Sequence, residues 1–293
     1  MKNKLSLFAV PYVGWMSIFV VAPIIIMVVY AFSTAAGDFS LENFARMGTY
    51  TAVFTRSFKL AIIATLIALL IGYPVSYMLS KEGPQVQRIA MVLIMLPMWM
   101  NFLLRTYSWM SILENNGLLN QLFQQIGLID LYNQIAMHFA SDPAAYVPID
   151  HFQMIGTQGA VVLGMVYNYL PFMILPIYSV LVKLDHSLIE AARDLGASSV
   201  QVFRKVILPL SLPGVLSGIT MVFVPAVSTF AISRLLGGNN QTLLGNLIEM
   251  QFVGTAYNPH LGSAIAMVMM VIVVVCMYVM NRFGEGEEQA VML

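Results

Sequence analysis

Long apolar runs alternate with short polar stretches along this chain, and six of the runs are long enough to cross a bilayer. A hydrocarbon core of ~30 Å takes about 20 helical residues, and the qualifying stretches cover approximately 7 to 32, 57 to 80, 88 to 112, 159 to 182, 212 to 235 and 262 to 282. The pattern predicts an all-α, polytopic membrane protein with six transmembrane helices. Pro74, Pro97, Pro171, Pro176 and Pro225 fall inside these stretches. Neighbouring helices in a bundle re-satisfy the carbonyls that proline frees, so kinked spans are expected rather than broken ones.

Two further segments are apolar but do not read as spans. In ENNGLLNQLFQQIGLID, Leu118, Leu119, Leu122, Phe123 and Ile126 recur at helical spacing opposite Asn120, Gln121, Gln124 and Gln125, which predicts a helix lying at the membrane surface. GGNNQTLLGNLIEMQFVGT, from Gly237 to Thr255, is too short and too polar to span and is expected to dip into the outer leaflet or to line a vestibule.

Charge orients the bundle. Lys2, Lys4, Lys81, Arg88, Lys183, Arg193, Arg204, Lys205 and Arg282 fall on one side, against Arg46, Arg56, Lys59, Arg105 and Arg234 on the other. The richer side is expected to be cytoplasmic. Both termini are then inside, and the segment from about 113 to 158, which carries no lysine or arginine, is outside. The run from Leu5 to Phe32 is longer than a signal-peptide core and has no small-residue cleavage site after it, so a retained first span is expected.

Composition narrows the chemistry. The chain is 59% hydrophobic and 10% charged with zero formal net charge, against about 25% charged residues in soluble domains. Its dispersed basic residues exclude a nucleic-acid binder. The lone Cys276, in an apolar run, excludes an intramolecular disulfide and is expected to be a buried apolar side chain. His138, His151, His186 and His260 lack ligand-like spacing, so no metal is assigned. The six spans carry no central Asp or Glu of the kind an ion-coupled carrier uses, and none offers a nucleophile beside a base. Gly214 and Gly218 form a small-xxx-small pattern that permits close helix approach.

The sharpest signal lies between the fourth and fifth spans, in KLDHSLIEAARDLGASSVQVFRKVILPLSLPG. Ser187 and Glu190 have the spacing of a capping box, Gly196 can supply a left-handed terminator, and Ser198 with Gln201 repeats the box for a second short helix limited by Pro209. Within it, Glu190, Ala191, Ala192, then Gly196, then Val206, Leu208 and Pro209 resemble the EAA loop of binding-protein-dependent ABC importer permeases, with valine at an isoleucine position. YPVSYMLSK, MLPMWMNFLLRTYSWMSIL and NNGLLNQLFQQIGLID are similar to the spermidine/putrescine branch of that family.

The resemblance implies a type I ABC importer permease fold. It divides the chain into a first span and outer loop (1–54), a permease core (55–283, with its coupling loop at about 183–211) and a short acidic cytoplasmic tail (284–293). It also implies a multi-pass protein of the bacterial inner membrane, a heterodimeric pore with a second permease, two ATPase subunits that use ATP and Mg, and an external polyamine-binding protein. The ATPase must be a separate chain, since no G-x-x-x-x-G-K-[ST] phosphate loop occurs here. Ser187, Glu190, Ala191, Ala192, Asp194, Leu195, Gly196, Val206, Leu208 and Pro209 are the candidate coupling residues.

For the substrate pathway the candidates are Trp99, Asn101, Tyr107 and Trp109 in the third span, Tyr167, Asn168 and Tyr169 in the fourth, and Glu249 in the outer dip. Their rings can hold ammonium groups by cation–π attraction and Glu249 can offer a counter-charge. An aromatic belt at the outer interface is the simpler reading of the third-span cluster. Arg105, near the outer end, has room to snorkel. A permease for another small solute fits the same residues, and an ion-coupled carrier fits them less well.

Overall fold

A computed structural model describes residues 10–139, 146–254 and 256–291. Among these residues the secondary structure is helical apart from one isolated bridge, Ser33 to Phe39. Thirteen helices follow in order: α1 Val10–Ala31, α2 Glu42–Met47, α3 Thr51–Ser80, α4 Pro84–Trp99, α5 Phe102–Leu113, α6 Leu118–Gln125, α7 Leu128–Phe139, α8 Gln158–Leu181, α9 His186–Asp194, α10 Ser199–Ser228, α11 Ala231–Leu236, α12 Leu244–Phe252 and α13 Pro259–Val291. Helices α1, α3, α8, α10 and α13 are each long and apolar enough to cross a membrane.

The third span departs from expectation. Residues 88 to 112 read as one apolar run, but α4 and the helical run Phe102–Gln125 that follows meet at a bend of 90°. Met100 adopts extended backbone there, Asn101 is also outside the helical region, and the Asn101 side chain accepts from the amides of Leu103 (2.8 Å) and Leu104 (3.4 Å), starting a new helix. Pro97 lies inside the last turn of α4, just before this break. The fifth span also stops early: α10 ends at Ser228, Thr229 is extended, and α11 forms a separate short helix.

The core is a three-helix contact of α3, α8 and α10. Apolar attraction between helices is weak in lipid, so close backbone approach supplies much of the association. Gly214 and Gly218 provide it, since a Cβ at Gly214 would lie 2.8 Å from the Pro176 carbonyl oxygen of α8 and one at Gly218 2.8 Å from Met173 Sδ. Ser76 of α3 adds a buried hydrogen bond to the Ile174 carbonyl across the same interface, at 3.1 Å. Helix α1 packs instead on α13 at the periphery. Cys276 of α13 is part-buried against the core, which is less burial than its apolar run suggests.

Helix α6 forms where periodicity predicts, with one inversion. Asn120, assigned to the polar face, is buried, while Leu118, Leu122 and Ile126 are exposed. The Asn120 amide donates to the carbonyls of Glu114 and Phe152, and its oxygen accepts from the Phe152 amide at 2.9 Å. A fully bonded amide is inexpensive to bury, and it pins α6 to the strand of chain leading into α8.

Candidate coupling elbow and outer cavity

The elbow between α8 and α10 is built from interlocking caps. Asp185 begins α9: its backbone is extended and its carboxylate accepts from the Ser187 amide at 2.9 Å. This corrects the expected Ser187–Glu190 box. Ser187 is already inside the first turn, because Asp185, two residues earlier, is the residue with non-helical backbone and a free oxygen. The same hydrogen bond holds the Asp185 carboxyl below its ordinary value of 3.8, with adjacent His186 lowering it further.

Helix α9 ends as expected at Gly196, whose φ of +83° lies in the left-handed region. The Gly196 amide donates to Arg193 O (2.8 Å) and the Ala197 amide to Ala192 O (3.0 Å), the paired bonds of a Schellman motif. Two residues later the Ser198–Gln201 capping box forms in full: the Ser198 amide donates to Gln201 Oε1 at 2.8 Å, and the Gln201 amide to Ser198 Oγ at 3.4 Å.

Pro209 does not limit the second helix. A π-helical turn, Phe203–Ile207, lies between Ser198 and Leu208, and Leu208 donates to the Phe203 carbonyl five residues back. Pro209 then stands in the first turn of the next α-helical segment, where its missing N–H is not needed, and the run continues to Ser228.

The elbow has two faces. Ile189, Ala192, Ala197, Phe203 and Val206 pack inward on a cluster containing Leu181, Val202 and Ile207. Phe203 meets the rings of Tyr73 and Tyr77 of α3 edge-on, with centroids 5.9 and 5.3 Å apart, and Tyr73 Oη lies 2.8 Å from Ser211 Oγ of α10. Glu190, Ala191, Asp194 and Leu195 face outward, and Leu195 is 89% exposed. The two alanines therefore differ in role: Ala191 leaves the outer surface low, and Ala192 lets α9 lie close to the bundle. Leu188 and Val200 are the remaining exposed apolar groups of this surface, and periodicity alone did not single them out.

The pathway candidates separate in space. Trp109 and Tyr167 meet edge-on at 5.3 Å between α5 and α8. Asn168 is buried and donates to Gly164 O at 2.9 Å, and Tyr169 donates to the Pro225 carbonyl at 3.4 Å. Trp99 is 75% exposed and Tyr107 is also exposed, while Asn101 caps α5. Arg105 is buried rather than snorkelling, and its Nε and Nη1 have no hydrogen-bond partner among the described residues.

Glu249 lies elsewhere, in a cavity of about 430 Å³ between α11 and α12 that Arg234, Asn246, Met250 and Val253 also line. Arg234 Nη1 stands 3.0 Å from Glu249 Oε1, so the carboxylate offered as a counter-charge for cargo is already paired. Asn246 braces the cavity: it accepts from Ser233 Oγ and donates to the Phe230 carbonyl at 2.8 Å. Among the described residues no three His, Cys, Asp or Glu side chains are grouped to hold a metal ion.

A helical bundle whose connection between α8 and α10 carries this doubly capped elbow defines a class, and comparison with known proteins agrees. Residues 69–285 match the family of binding-protein-dependent transport system inner membrane components, and the chain belongs to that family. It is a multi-pass inner-membrane permease subunit of an ABC importer, a machine that pairs permeases with ATPases and a binding protein.

More particularly, it is 35% identical to the spermidine/putrescine transport system permease protein PotB of Haemophilus influenzae, over 97% of this chain and 96% of that one. It is 36% identical to the PotB of Escherichia coli K12, over 83% of this chain and 85% of the relative. In fold it is similar to a bacterial ABC transporter involved in import of the acidic polysaccharide alginate, with a TM-score of 0.72, 17% identity, and 97% and 96% of the two chains covered. It is also similar to the MetNI methionine ABC transporter, with a TM-score of 0.53, 18% identity, and 84% and 98% covered.

Proposed function

We propose that this permease carries polyamines, that its elbow is the contact through which the ATPase drives it, and that both termini face the cytoplasm. The observation that carries the coupling reading is the two-faced elbow. Its outer surface presents Leu188, Leu195 and Val200 around Glu190 and Ala191, while its inner surface is geared through Phe203 to Tyr73 and Tyr77 of a membrane span. An exposed apolar residue on a rigid, capped support suits a docking anchor. A displacement of α9 then reaches α3 and α10 through packed rings rather than through a flexible linker, which suits alternating access between inward-open and outward-open arrangements.

The polyamine cargo rests on the relatives, whose names specify spermidine and putrescine. The pairing of Glu249 with Arg234 favours a division of labour in which an external polyamine-binding protein selects the cargo and the pore supplies aromatic and polar surface. The buried Arg105 cation repels a polycation, so it is excluded from the set of cargo ligands.

The test is reconstitution with the companion permease, ATPase and binding protein in liposomes, measuring ATP-dependent uptake of labelled spermidine and putrescine. Saturable uptake of either supports the reading. Robust ATP hydrolysis stimulated by the binding protein, with neither polyamine entering, would discard the cargo and retain the importer.

A further inference from the structure

Beneath the elbow lies a cavity of about 330 Å³ whose chemistry coupling does not require. Lys81 at the end of α3 and His186 and Arg193 of α9 line it, Ser80 adds a hydroxyl, and the buried side chains Leu181 and Ile207 contribute apolar wall. Among the described residues no carboxylate lines it: Glu82 follows Lys81 in the turn, the Asp185 carboxylate is engaged by the Ser187 amide, and Glu190 and Asp194, which are exposed on α9 as His186 and Arg193 are, do not line the recess.

The ion pairs found among the described residues use other groups and leave Lys81 and Arg193 without one. Lys81 Nζ instead sits 3.9 Å from the centroid of the Tyr77 ring, held by a π face at the cavity wall. A lysine, an arginine and an imidazole in one recess attract an anion with several acceptor oxygens, and an arginine among them favours a phosphate. The recess also lies where α3 and α8, two helices long and apolar enough to span, come to an end, and basic pockets between the ends of spans suit anionic lipid.

We propose that this recess binds a phosphate group, with an anionic phospholipid headgroup or a free phosphate as its source. The inference rests on the elbow meeting the membrane surface, not on the cargo.

The test uses the assembled transporter in nanodiscs containing equal parts phosphatidylglycerol and phosphatidylcholine, with retained lipids counted by native mass spectrometry. A parallel arm titrates inorganic phosphate and follows thermal stability. Selective phosphatidylglycerol retention, reduced at least several-fold by the double variant Lys81→Gln/Arg193→Gln and not by Lys205→Gln outside the recess, supports the lipid source. Stabilisation by inorganic phosphate that the same double variant abolishes, without lipid selectivity, supports the soluble source.

Lys81→Arg, which keeps the charge, is expected to keep binding. It also separates loss of the site from loss of the fold, as does size-exclusion of the double variant. Equal retention of both lipids with no phosphate effect, or equal losses in the double variant and Lys205→Gln, overturns the proposal.

Discussion

Gly196 offers the cleanest perturbation of the elbow, because its environment isolates backbone conformation from packing. A Cβ added there meets nothing within 4 Å, yet φ is +83°. Gly196→Ala therefore costs only the left-handed penalty of an L-residue, about 1–2 kcal/mol, or about a 5- to 30-fold shift away from the observed elbow. Asparagine visits this region more readily, so Gly196→Asn should fall between glycine and alanine. Gly196→Pro fixes φ near −65° and also removes the N–H that donates to Arg193 O, so it should abolish the elbow.

The assay is the ratio of substrate transported to ATP hydrolysed in proteoliposomes, at matched levels of assembled complex. Coupling should decline in the order Gly, Asn, Ala, Pro. Equal coupling in all four, or an asparagine variant worse than alanine, would refute the role given to the left-handed turn.

Other sites give independent checks. Gly214→Ala should lower the thermal stability of the detergent-solubilised protein by about 1–3 kcal/mol, the usual cost of overpacking, since its Cβ would press on backbone rather than on a movable side chain. Protection of the Ser187 amide from hydrogen exchange should be complete above the ordinary carboxylate range and lost as pH falls through the lowered pKa of Asp185, because a depressed folded-state pKa stabilises only the ionised cap; Asp185→Asn should remove that pH dependence. Glu249→Gln should change stability by no more than about 1 kcal/mol, because the pair with Arg234 is partly exposed. The same variant should raise the transport KM if the cavity lies on the pathway, and an unchanged KM at normal abundance removes Glu249 from it.

Much of this architecture is visible in the residues because the governing effects are local. Apolar length marks the spans, and Gly196 and the Ser198–Gln201 box depend on neighbours within five residues. The failures have a common cause, which is competition among nearby signals or contact between distant ones. Asp185 and Ser187 are both competent caps, and only the extended backbone at 185 decides between them. Asn101 is a cap hidden in a continuous apolar run, so hydropathy joined two helices that it separates. A π turn admits Pro209 into a helix that an α-only reading ends there. Asn120 and Glu249 find partners at Phe152 and Arg234, and no periodicity encodes those meetings. The division of Ala191 from Ala192 likewise appears only once Phe203 and α3 are in place.

The proposed coupling role makes the exposed apolar surface of the elbow, with Leu195 at its most exposed point, the place where the ATPase acts. Replacing Cys276 with serine leaves a cysteine-free chain, into which Leu195→Cys can be introduced for a photoactivated cross-linker. Leu118→Cys on exposed α6 serves as the control. The predicted result is a cross-link from position 195 to the ATPase subunit whose yield changes when ATP is bound, with none from position 118. A cross-link from 195 only to lipid or to the external binding protein, or ATPase adducts of equal yield from both positions, would rule out the elbow as the ATPase contact.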